Sequence, residues 1–421
     1  MLTVMKKSTI IIFLVLAMLK TQAQDYQVSF AGTGATTVVS TVKVDNLTSG
    51  ATVTLNGGDV LHLIGGVGIS TPDIKNGTLQ IYPNPMAEQS ILTFVAPDND
   101  HAVIGIVDLS GKNVYQISTL LSPGVNSFRV SGISRGMCFV KVNGKNYHYS
   151  AKLVSQSNLQ DETKIEHVSF AKHTASTPLK STETTIDMLY TEGDQLLYKG
   201  ISGIYSTLIP DVPASSKTIT FNFAACTDGD NNNYTIVQIG TQTWMVENLK
   251  TTKYNNGTSI PLVTDNSAWA KLNTHGYCWY NNDDATYKNT YGALYNWFTV
   301  HTAGLAPAGW HLATDAEFTT LTDYLGGESV AGGKLKETGI TNWLTPNTGA
   351  TNESGFSANP GGLRYYDGSY ATMGKYSFWW SSTTFNTSSA WARRVYYSHG
   401  AVDRYYDLKT HGFSVRCVRD L

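Results

Sequence analysis

Short segments in which apolar and polar residues alternate fill the stretch from residue 79 to residue 154. They lie at residues 91–95, 102–107, 113–118, 126–130, 138–142 and 147–153. Turn-forming residues such as Asp108–Lys112 and Asn143–Gly144 separate them. An alternation of period two gives each strand one apolar face, and short strands at roughly ten-residue spacing favour a β-sandwich. We therefore expect residues 76–154 to form a sandwich of antiparallel strands.

Strand patterns also flank this sandwich. Residues 24–75 alternate in the same way, with the turn cluster Asn56–Asp59 between two strand runs, and residues 186–225 return to strands. The polar, Ser/Thr-rich stretch 155–185 is predicted to be a linker with one further strand at 168–171. The first half of the chain is therefore predicted to be all β.

The second half has a different composition. All nine Trp lie between Trp244 and Trp391, and 16 of the 24 Tyr lie beyond Cys226. Helical spacing of apolar residues predicts one helix over Tyr291–Val300, and the capping box Thr314–Glu317 starts a second helix. Two helices among strands and loops predict that residues 226–421 form an α+β domain, so the protein as a whole is multidomain.

The N-terminus has the pattern of a secretory signal peptide. Lys6 and Lys7 precede an apolar run at 10–19, and small residues follow up to Ala23. The run is about half of the roughly 20 residues that span a bilayer, so a membrane span is the weaker interpretation. With a signal peptide at 1–23, we expect an exported protein, either on the outer-membrane surface or extracellular.

Charge argues against a nucleic-acid partner. Only 15% of the residues are charged, and the formal net charge of the 421 residues is −2. No dense Lys/Arg patch interrupts this balance, so the chain lacks the basic surface that phosphate backbones require.

The predicted sandwich resembles a known family. Ile81–Pro85, Val107–Lys112, Gly132–Val140 and Ser150–Val154 follow one another as in the C-terminal sorting domain of the Bacteroidetes type IX secretion system. In that family the domain ends the chain and is removed after export. Here the chain continues to residue 421, which favours a structural module that is retained in the protein.

Residues 226–421 resemble the Fibrobacter succinogenes major paralogous domain. The motifs that carry the resemblance are Cys226–Asp230, Val237–Lys250, Tyr291–Trp297, Gly309–His311, Trp379–Thr383 and Gly412–Asp420. Part of the region, Trp310–Phe318 with the terminal motif, is also similar to formylglycine-generating enzymes. These resemblances imply a secreted or surface module with a C-type-lectin-like fold.

No catalytic residue is assigned. Formylglycine-generating enzymes need a redox cysteine pair, and no Cys lies in the 379–404 stretch where one thiol is expected. His311 lies beside Trp310 without a Ser or Cys nucleophile, and Ser381–Thr383 lacks a nucleophile-elbow context. We expect a protein that is not an enzyme.

Metal binding and disulfide formation each leave two alternatives. Oxygen-bearing Asp228, Asp230 and Asn232 alternate as in a calcium loop, but the Gly and Glu of an EF-hand loop are missing, so a turn between strands is favoured over calcium and no cofactor is assigned. Cys278 and Cys417 either form a disulfide or remain buried free thiols.

Adjacent tyrosines beside charges are the candidate ligand-binding residues. Because neighbours in a strand point to opposite faces, one ring of each pair can be exposed and stack on a sugar, whereas the alternative is that all rings pack the core. The candidates are Tyr365, Tyr366, Arg393, Tyr396, Tyr397, Asp403, Tyr405 and Tyr406. The expected partner is an extracellular glycan, with a surface protein bound by an adhesin as the second hypothesis and a thiol-dependent enzyme as the third.

Overall fold

A computed structural model describes residues 25–65, 79–82, 84–86, 89–97, 100–121, 124–157, 163–167 and 184–420. The predicted signal peptide, the predicted strand at 168–171 and most of the predicted linker lie outside the described residues. Among the described residues, no helix is both long and apolar enough to cross a membrane.

The strands before residue 226 belong to two sandwiches. The first segment contains β1 (Asp25–Gly34), β2 (Thr41–Asn46), β3 (Thr52–Asn56) and β4 (Val60–Gly65). The second contains β5 (Gln80–Tyr82), β6 (Gln89–Ala96), β7 (Asp100–Asp108), β8 (Asn113–Leu121), β9 (Gly124–Ser131), β10 (Gly136–Asn143), β11 (His148–Ser155) and β12 (Lys164–His167). The third contains β13 (Thr185–Tyr190), β14 (Leu196–Ser202), β15 (Tyr205–Asp211) and β16 (Lys217–Phe223).

The first and third segments form one sandwich, which we call the host sandwich. One sheet has the order β13-β4-β1-β16, in which β4 pairs in parallel with β13 and β1 pairs in parallel with β16. Strands β14, β15, β2 and β3 lie side by side in a second sheet. Residues of both segments, from Val28 to Phe223, share a single core. The segments predicted at 24–75 and 186–225 thus build one core together, a pairing that the sequence patterns did not indicate.

The middle segment forms its own sandwich between β4 and β13. Its sheets have the orders β11-β10-β7-β8 and β12-β9-β6-β5, and its core spans Leu79 to Ile165. Apolar residues of each strand alternate toward this core, as in β6, where every second side chain is buried. The structure confirms the predicted antiparallel sandwich and shows that it is inserted into the host.

The remaining residues form the C-terminal domain. Its strands are β17 (Ile236–Ile239), β18 (Gln242–Met245), β19 (Tyr277–Cys278), β20 (Leu294–Tyr295), β21 (Trp310–Leu312), β22 (Leu363–Arg364), β23 (Tyr370–Ala371), β24 (Tyr376–Thr384), β25 (Ser389–Tyr396), β26 (Val402–Leu408) and β27 (Cys417–Arg419). Its helices are α1 (Asn266–Ala270), α2 (Asp284–Tyr291), α3 (Trp297–Val300), α4 (Asp315–Tyr324) and α5 (Glu328–Leu335), with a 3₁₀ turn at Tyr280–Asn282.

The expectation of two helices was correct for one of them. Helix α4 begins at the predicted capping box, in which Thr314 and Glu317 bond each other's backbone N–H groups. The helix predicted over Tyr291–Val300 is wrong. Gly292, at a φ of 73°, ends α2, and the next residues form β20 before the Asn296 side chain caps the short helix α3.

One sheet connects the host sandwich to the C-terminal domain. Its order is β21-β27-β18-β17-β15-β14-β2-β3, and the connection is the parallel pairing of β15 with β17. Leu197 and Leu208 of the host also pack in a core cluster with Val237, Trp244 and Phe318 of the C-terminal domain. The two parts therefore share backbone hydrogen bonds and buried apolar surface.

Most tryptophans build the core. Eight of the nine are buried, and Trp391 is the exception. Two large clusters lie on opposite sides of the antiparallel sheet β24-β25-β26, since Phe378 and Trp380 belong to one cluster and Trp379 and Val395 to the other. This sheet carries most of the predicted ligand-binding residues.

Candidate ligand-binding faces

Strand register divides the predicted binding residues between two faces of the β24-β25-β26 sheet. Arg394 pairs with Asp403, whereas Arg393 pairs with Arg404 and Trp391 with Tyr406. Paired residues of antiparallel strands point to the same side, and neighbours along a strand point to opposite sides. Tyr405 therefore shares a face with Arg394, while Tyr406 lies on the opposite face.

Arg394 organises the first face. Its guanidinium carbon lies 4.9 Å from the ring centre of Tyr396 and 4.8 Å from that of Tyr405. Its Nε donates to Oδ2 of Asp403 at 3.0 Å, and the Tyr396 hydroxyl donates to the same carboxylate. Cation–π contacts and a charge-assisted hydrogen bond thus hold two of the predicted tyrosines in fixed positions.

Tyr365 and Tyr366 surround a buried histidine. Both ring centres lie 5.7 Å from that of His411, and the Tyr366 ring is stacked on the imidazole. The tyrosines are 38% and 53% exposed, whereas His411 is 6% exposed. Nδ1 of His411 lies 2.9 Å from a carboxylate oxygen of Asp407, and Nε2 has no hydrogen-bond partner among the described residues.

Phe413 joins these two clusters. Its ring centre lies 6.4 Å from that of Tyr405 and 5.8 Å from that of His411. The hydroxyl of Tyr405 is buried and has no partner among the described residues. We call the joined set the tyrosine face: Tyr365, Tyr366, Arg394, Tyr396, Asp403, Tyr405 and His411. It brings together five of the eight predicted residues and adds Arg394 and His411.

The other three predicted residues lie elsewhere. Arg393 is 2% exposed, so the prediction that it contacts a ligand is corrected. Its guanidinium bonds Oδ1 of Asp315 at 2.6 Å and the hydroxyl of Thr319 at 3.0 Å. Tyr397 packs against the core cluster of Trp379, and Tyr406 points to the opposite face.

Arg393 and Arg404 share the carboxylate of Asp315. Oδ2 of Asp315 accepts from the Arg404 Nη2 at 2.8 Å. Burial by itself raises the pKa of Asp315, but the hydrogen bonds and charges of the two guanidinium groups outweigh it, so the pKa is lowered. Asp315 opens helix α4, where a carboxylate is also stabilised by the helix dipole.

The opposite face carries an aromatic patch of which the sequence analysis identified only Tyr406. The rings of Phe385 and Tyr406 stack with centres 3.9 Å apart, and the Arg404 guanidinium lies 3.6 Å from the ring centre of Trp391. Phe385 is 40% exposed and Tyr406 is 53% exposed. We call these four residues the Trp391 patch. The strand alternation Trp391, Arg393, Val395 could have identified this face.

Arg364, which precedes the Tyr365–Tyr366 pair, has a structural role. Its guanidinium is fully buried and donates to the carbonyl oxygens of Val263 and Gly368. It also lies 4.5 Å from the ring centre of Trp269. The basic residue beside this tyrosine pair is therefore used inside the fold.

Asp228, Asp230 and Asn232 form a turn. Oδ1 of Asp228 accepts from the backbone N–H groups of Asp230 and Asn232 at 2.9 and 3.0 Å, and its other oxygen accepts from the Tyr234 hydroxyl. Asp230 accepts from the backbone N–H of Thr252 at 2.5 Å. Within the described residues, no group of three or more His, Cys, Asp or Glu side chains could hold a metal ion.

All four cysteines are buried free thiols. Cys278 packs with Trp269 and Leu294, whereas Cys417 lies in the cluster of Cys226 and Trp310. A Cys278–Cys417 disulfide is therefore not formed, and the alternative of buried thiols holds. Burial raises the pKa of each thiol, and that of Cys138 rises to about 11.

The remaining candidates for chemistry have structural partners. Nε2 of His311 lies 2.6 Å from Glu317, and Nδ1 lies 2.6 Å from Asp420. The hydroxyl of Ser382 donates to the Leu312 carbonyl at 3.0 Å. No nucleophile lies in hydrogen-bond contact with the His311 ring in the described part of the chain.

Comparison with known families defines the class of protein. Residues 237–419 match the Fibrobacter succinogenes major domain, and residues 80–156 match the secretion system C-terminal sorting domain. Together they indicate a surface or secreted protein, and the sorting domain points to export through the type IX system to the cell surface. No curated protein matches the chain. The match covers strands β5 to β11 of the inserted sandwich.

Proposed function

We propose that this protein is a non-enzymatic surface or secreted binding protein that recognises an extracellular glycan through the tyrosine face. The observation that carries the proposal is the exposed pair Tyr365 and Tyr366, whose rings pack against the imidazole of His411. Two neighbouring exposed aromatic rings offer a surface on which a sugar ring can stack.

The chemistry of the tyrosine face suits sugars. Flat rings stack on the C–H faces of a pyranose, and nearby carboxylates and imidazoles bond its hydroxyls. The carboxylates of Asp403 and Asp407 are partly exposed and can accept hydrogen bonds from these hydroxyls. Arg394 is occupied by Asp403 and two rings, so it orients the face.

The thiols support a non-enzymatic role. A reactive cysteine needs a lowered pKa and access to solvent, whereas every thiol here is buried with a raised pKa. We also propose that residues 226–421 have a C-type-lectin-like fold with a distant similarity to formylglycine-generating enzymes. The mixture of short helices and small sheets in residues 226–421 supports the α+β part of that assignment.

A glycan array and a pull-down with insoluble polysaccharides test the proposal on the full chain. We expect binding that falls about tenfold or more in Tyr366→Ala and in Tyr365→Ala, since each loses a stacking ring. Tyr406→Ala is the matched control, because Tyr406 is equally exposed but lies on the opposite face. Negative results in both assays, or equal loss in all three variants, would refute glycan recognition by this face.

A protein-binding adhesin is the second candidate, and the Trp391 patch favours it. Phe385, Trp391, Tyr406 and the 40% exposed Leu408 form an apolar surface with an arginine, a composition enriched at protein interfaces. Loss of cell-surface adhesion in Tyr406→Ala, with Tyr366→Ala unaffected, would favour this candidate over the glycan proposal.

A further inference from the structure

An open cleft lies where the host sandwich meets the C-terminal domain. Its volume is about 520 Å³. The host contributes Pro210 and Val212 to its wall, and the C-terminal domain contributes Ile239 and Leu325. The cleft is separate from the tyrosine face and the Trp391 patch, because no residue of either lines it.

A break in strand pairing opens this cleft. Strands β15 and β17 pair only at Thr207 with Ile236 and at Leu208 with Val237. Two residues later the host strand reaches Pro210, which has no N–H to donate to a neighbouring strand. Asp211 and Val212, which follow Pro210, line the cleft together with Gln238 and Ile239, which follow Val237.

The charges in the cleft are balanced. Nζ of Lys334 lies 2.9 Å from a carboxylate oxygen of Glu353, and Asp211 forms an ion pair of the same length with Lys217. Gln195 and Gln238 also line the cleft, and their amide groups donate to the carbonyl oxygens of Asp211 and Gly240 at 3.3 and 3.2 Å. Such a wall offers many hydrogen-bonding groups without a net charge, which suits an uncharged polar ligand.

One aromatic ring stands at the mouth of the cleft. Tyr324, the last residue of α4, is 65% exposed, which is unusual for a large ring without a partner. The ring lies over Gly240, where an added Cβ would come within 2.9 Å of it. The φ of 60° at Gly240 also favours glycine, so the backbone there is shaped to admit the ring.

We propose that this cleft binds a short neutral oligosaccharide. Tyr324 stacks on one sugar ring, and the side-chain oxygens of Gln195, Gln238, Asp211 and Glu353 accept hydrogen bonds from its hydroxyls. Because both parts of the chain line the site, a bound sugar bridges the host sandwich and the C-terminal domain.

Titration calorimetry and saturation-transfer NMR on the full chain test this site with cellobiose, maltose and N,N′-diacetylchitobiose as probes. All measurements are made in the Tyr366→Ala variant, so that sugar binding at the tyrosine face contributes less to the signal. We expect at least one disaccharide to bind, and Tyr324→Ala in this background to lower its affinity about tenfold. Gln238→Ala is expected to lower the affinity severalfold.

Tyr324 and Gln238 are exposed, so these substitutions should leave the fold intact, and an unchanged circular dichroism spectrum checks it. Glucuronic acid is the charged comparison, and it should bind more weakly than the neutral probes. The cleft assignment is overturned if no probe binds, or if binding is unchanged in both Tyr324→Ala and Gln238→Ala. Neither result would refute the tyrosine-face proposal, which is tested separately by the glycan array and the pull-down.

Discussion

Nδ1 of His311 lies 2.6 Å from a carboxylate oxygen of Asp420. Nε2 of the same ring lies 2.6 Å from Glu317, the capping-box residue of α4. The imidazole of His311 therefore connects strand β21, the start of α4 and the end of strand β27. Burial by itself lowers the pKa of His311, but the hydrogen bonds and charges of the two carboxylates outweigh it, and the pKa is raised from 6.5.

The contacts of His311 with Asp420 and Glu317 make the free energy of unfolding depend on pH. A histidine whose pKa is higher in the folded state contributes stability below its unfolded value of 6.5, and that contribution is lost as the pH rises through the folded value. His62, between Asp187 and Asp25, has the same sign. We expect the contribution of these two histidines to the melting temperature to decrease as the pH rises from about 6 into the alkaline range.

Thermal melts of His311→Gln across this range provide the check. The ring is 39% exposed, so the effect should be no more than about 1 kcal/mol at the acidic end and near zero at the alkaline end. His62→Gln is the matched variant for the host sandwich. A His311→Gln profile that runs parallel to the wild-type profile would contradict this role.

Arg393 and Arg404 bond the same carboxylate, but their replacement should have unequal effects. Arg393 is 2% exposed and Arg404 is 38% exposed in their side chains. Breaking a buried ion pair leaves Asp315 without its buried partner, which costs about 3–5 kcal/mol, whereas an exposed pair is worth about 1 kcal/mol or less. Chemical denaturation of Arg393→Ala and Arg404→Ala measures the difference. Equal losses would show that burial does not decide the strength of this pair.

The tyrosine pairs and Arg393 show how much of the candidate site could be predicted from the sequence. Alternation along a strand predicted that one member of each Tyr-Tyr pair is exposed. Tyr405 and Tyr406 differ in this way, whereas Tyr365 and Tyr366 are both exposed. The sequence could not predict which of the two alternating sets of residues is buried, because both faces of the sheet pack against core clusters. Arg393 was therefore assigned to a ligand when it lies beneath α4.

The pairing of strands that lie far apart in the chain could not be predicted from the sequence either. Local patterns predicted strands in 24–75 and 186–225, but the parallel pairing of β1 with β16 joins residues far apart in the chain. His411 was also missed, since only the fold places it between Tyr365 and Tyr366. By contrast, the capping box of α4 is a local signal, and it was predicted correctly.

The insertion of one sandwich into another predicts that the insert can be removed. Parallel pairing of β4 with β13 places Gly65 roughly one strand length, about 17 Å, from Thr185. A flexible linker of about ten residues in place of 66–183 spans this distance. We expect the shortened chain to keep its near-ultraviolet circular dichroism, because all nine tryptophans lie at or beyond residue 244.

Deletion of residues 25–65 is the contrasting experiment. It removes half of the host core and should unfold the host sandwich, which also packs Leu197 and Leu208 against the C-terminal domain. For the same reason, a fragment of residues 226–421 should melt at a lower temperature than the full chain. Loss of structure on removing 66–183, with 25–65 dispensable, would disprove the host-and-insert arrangement.

The Asp228 turn should not depend on calcium. Asp228 is 5% exposed, and its oxygens already accept from Asp230, Asn232 and Tyr234. Asp228→Ala leaves these donors without their acceptor and should cost about 1–3 kcal/mol. The loss should be the same with chelator or with calcium. A melting temperature of the wild-type chain that rises with calcium would instead support the calcium-loop alternative.

The four thiols should be unreactive in the folded protein. Each is buried with a raised pKa, so little thiolate forms near neutral pH and reagents cannot reach it. Titration of the native chain with a thiol reagent should detect almost none, and titration in denaturant should detect all four. Burial raises the pKa of Cys138, which lies in the inserted sandwich, to about 11. The thiol detected in denaturant for the inserted sandwich should be absent in Cys138→Ser. Two missing thiols in denaturant would reveal a disulfide, and a fast-reacting native thiol would return the thiol-dependent enzyme to consideration.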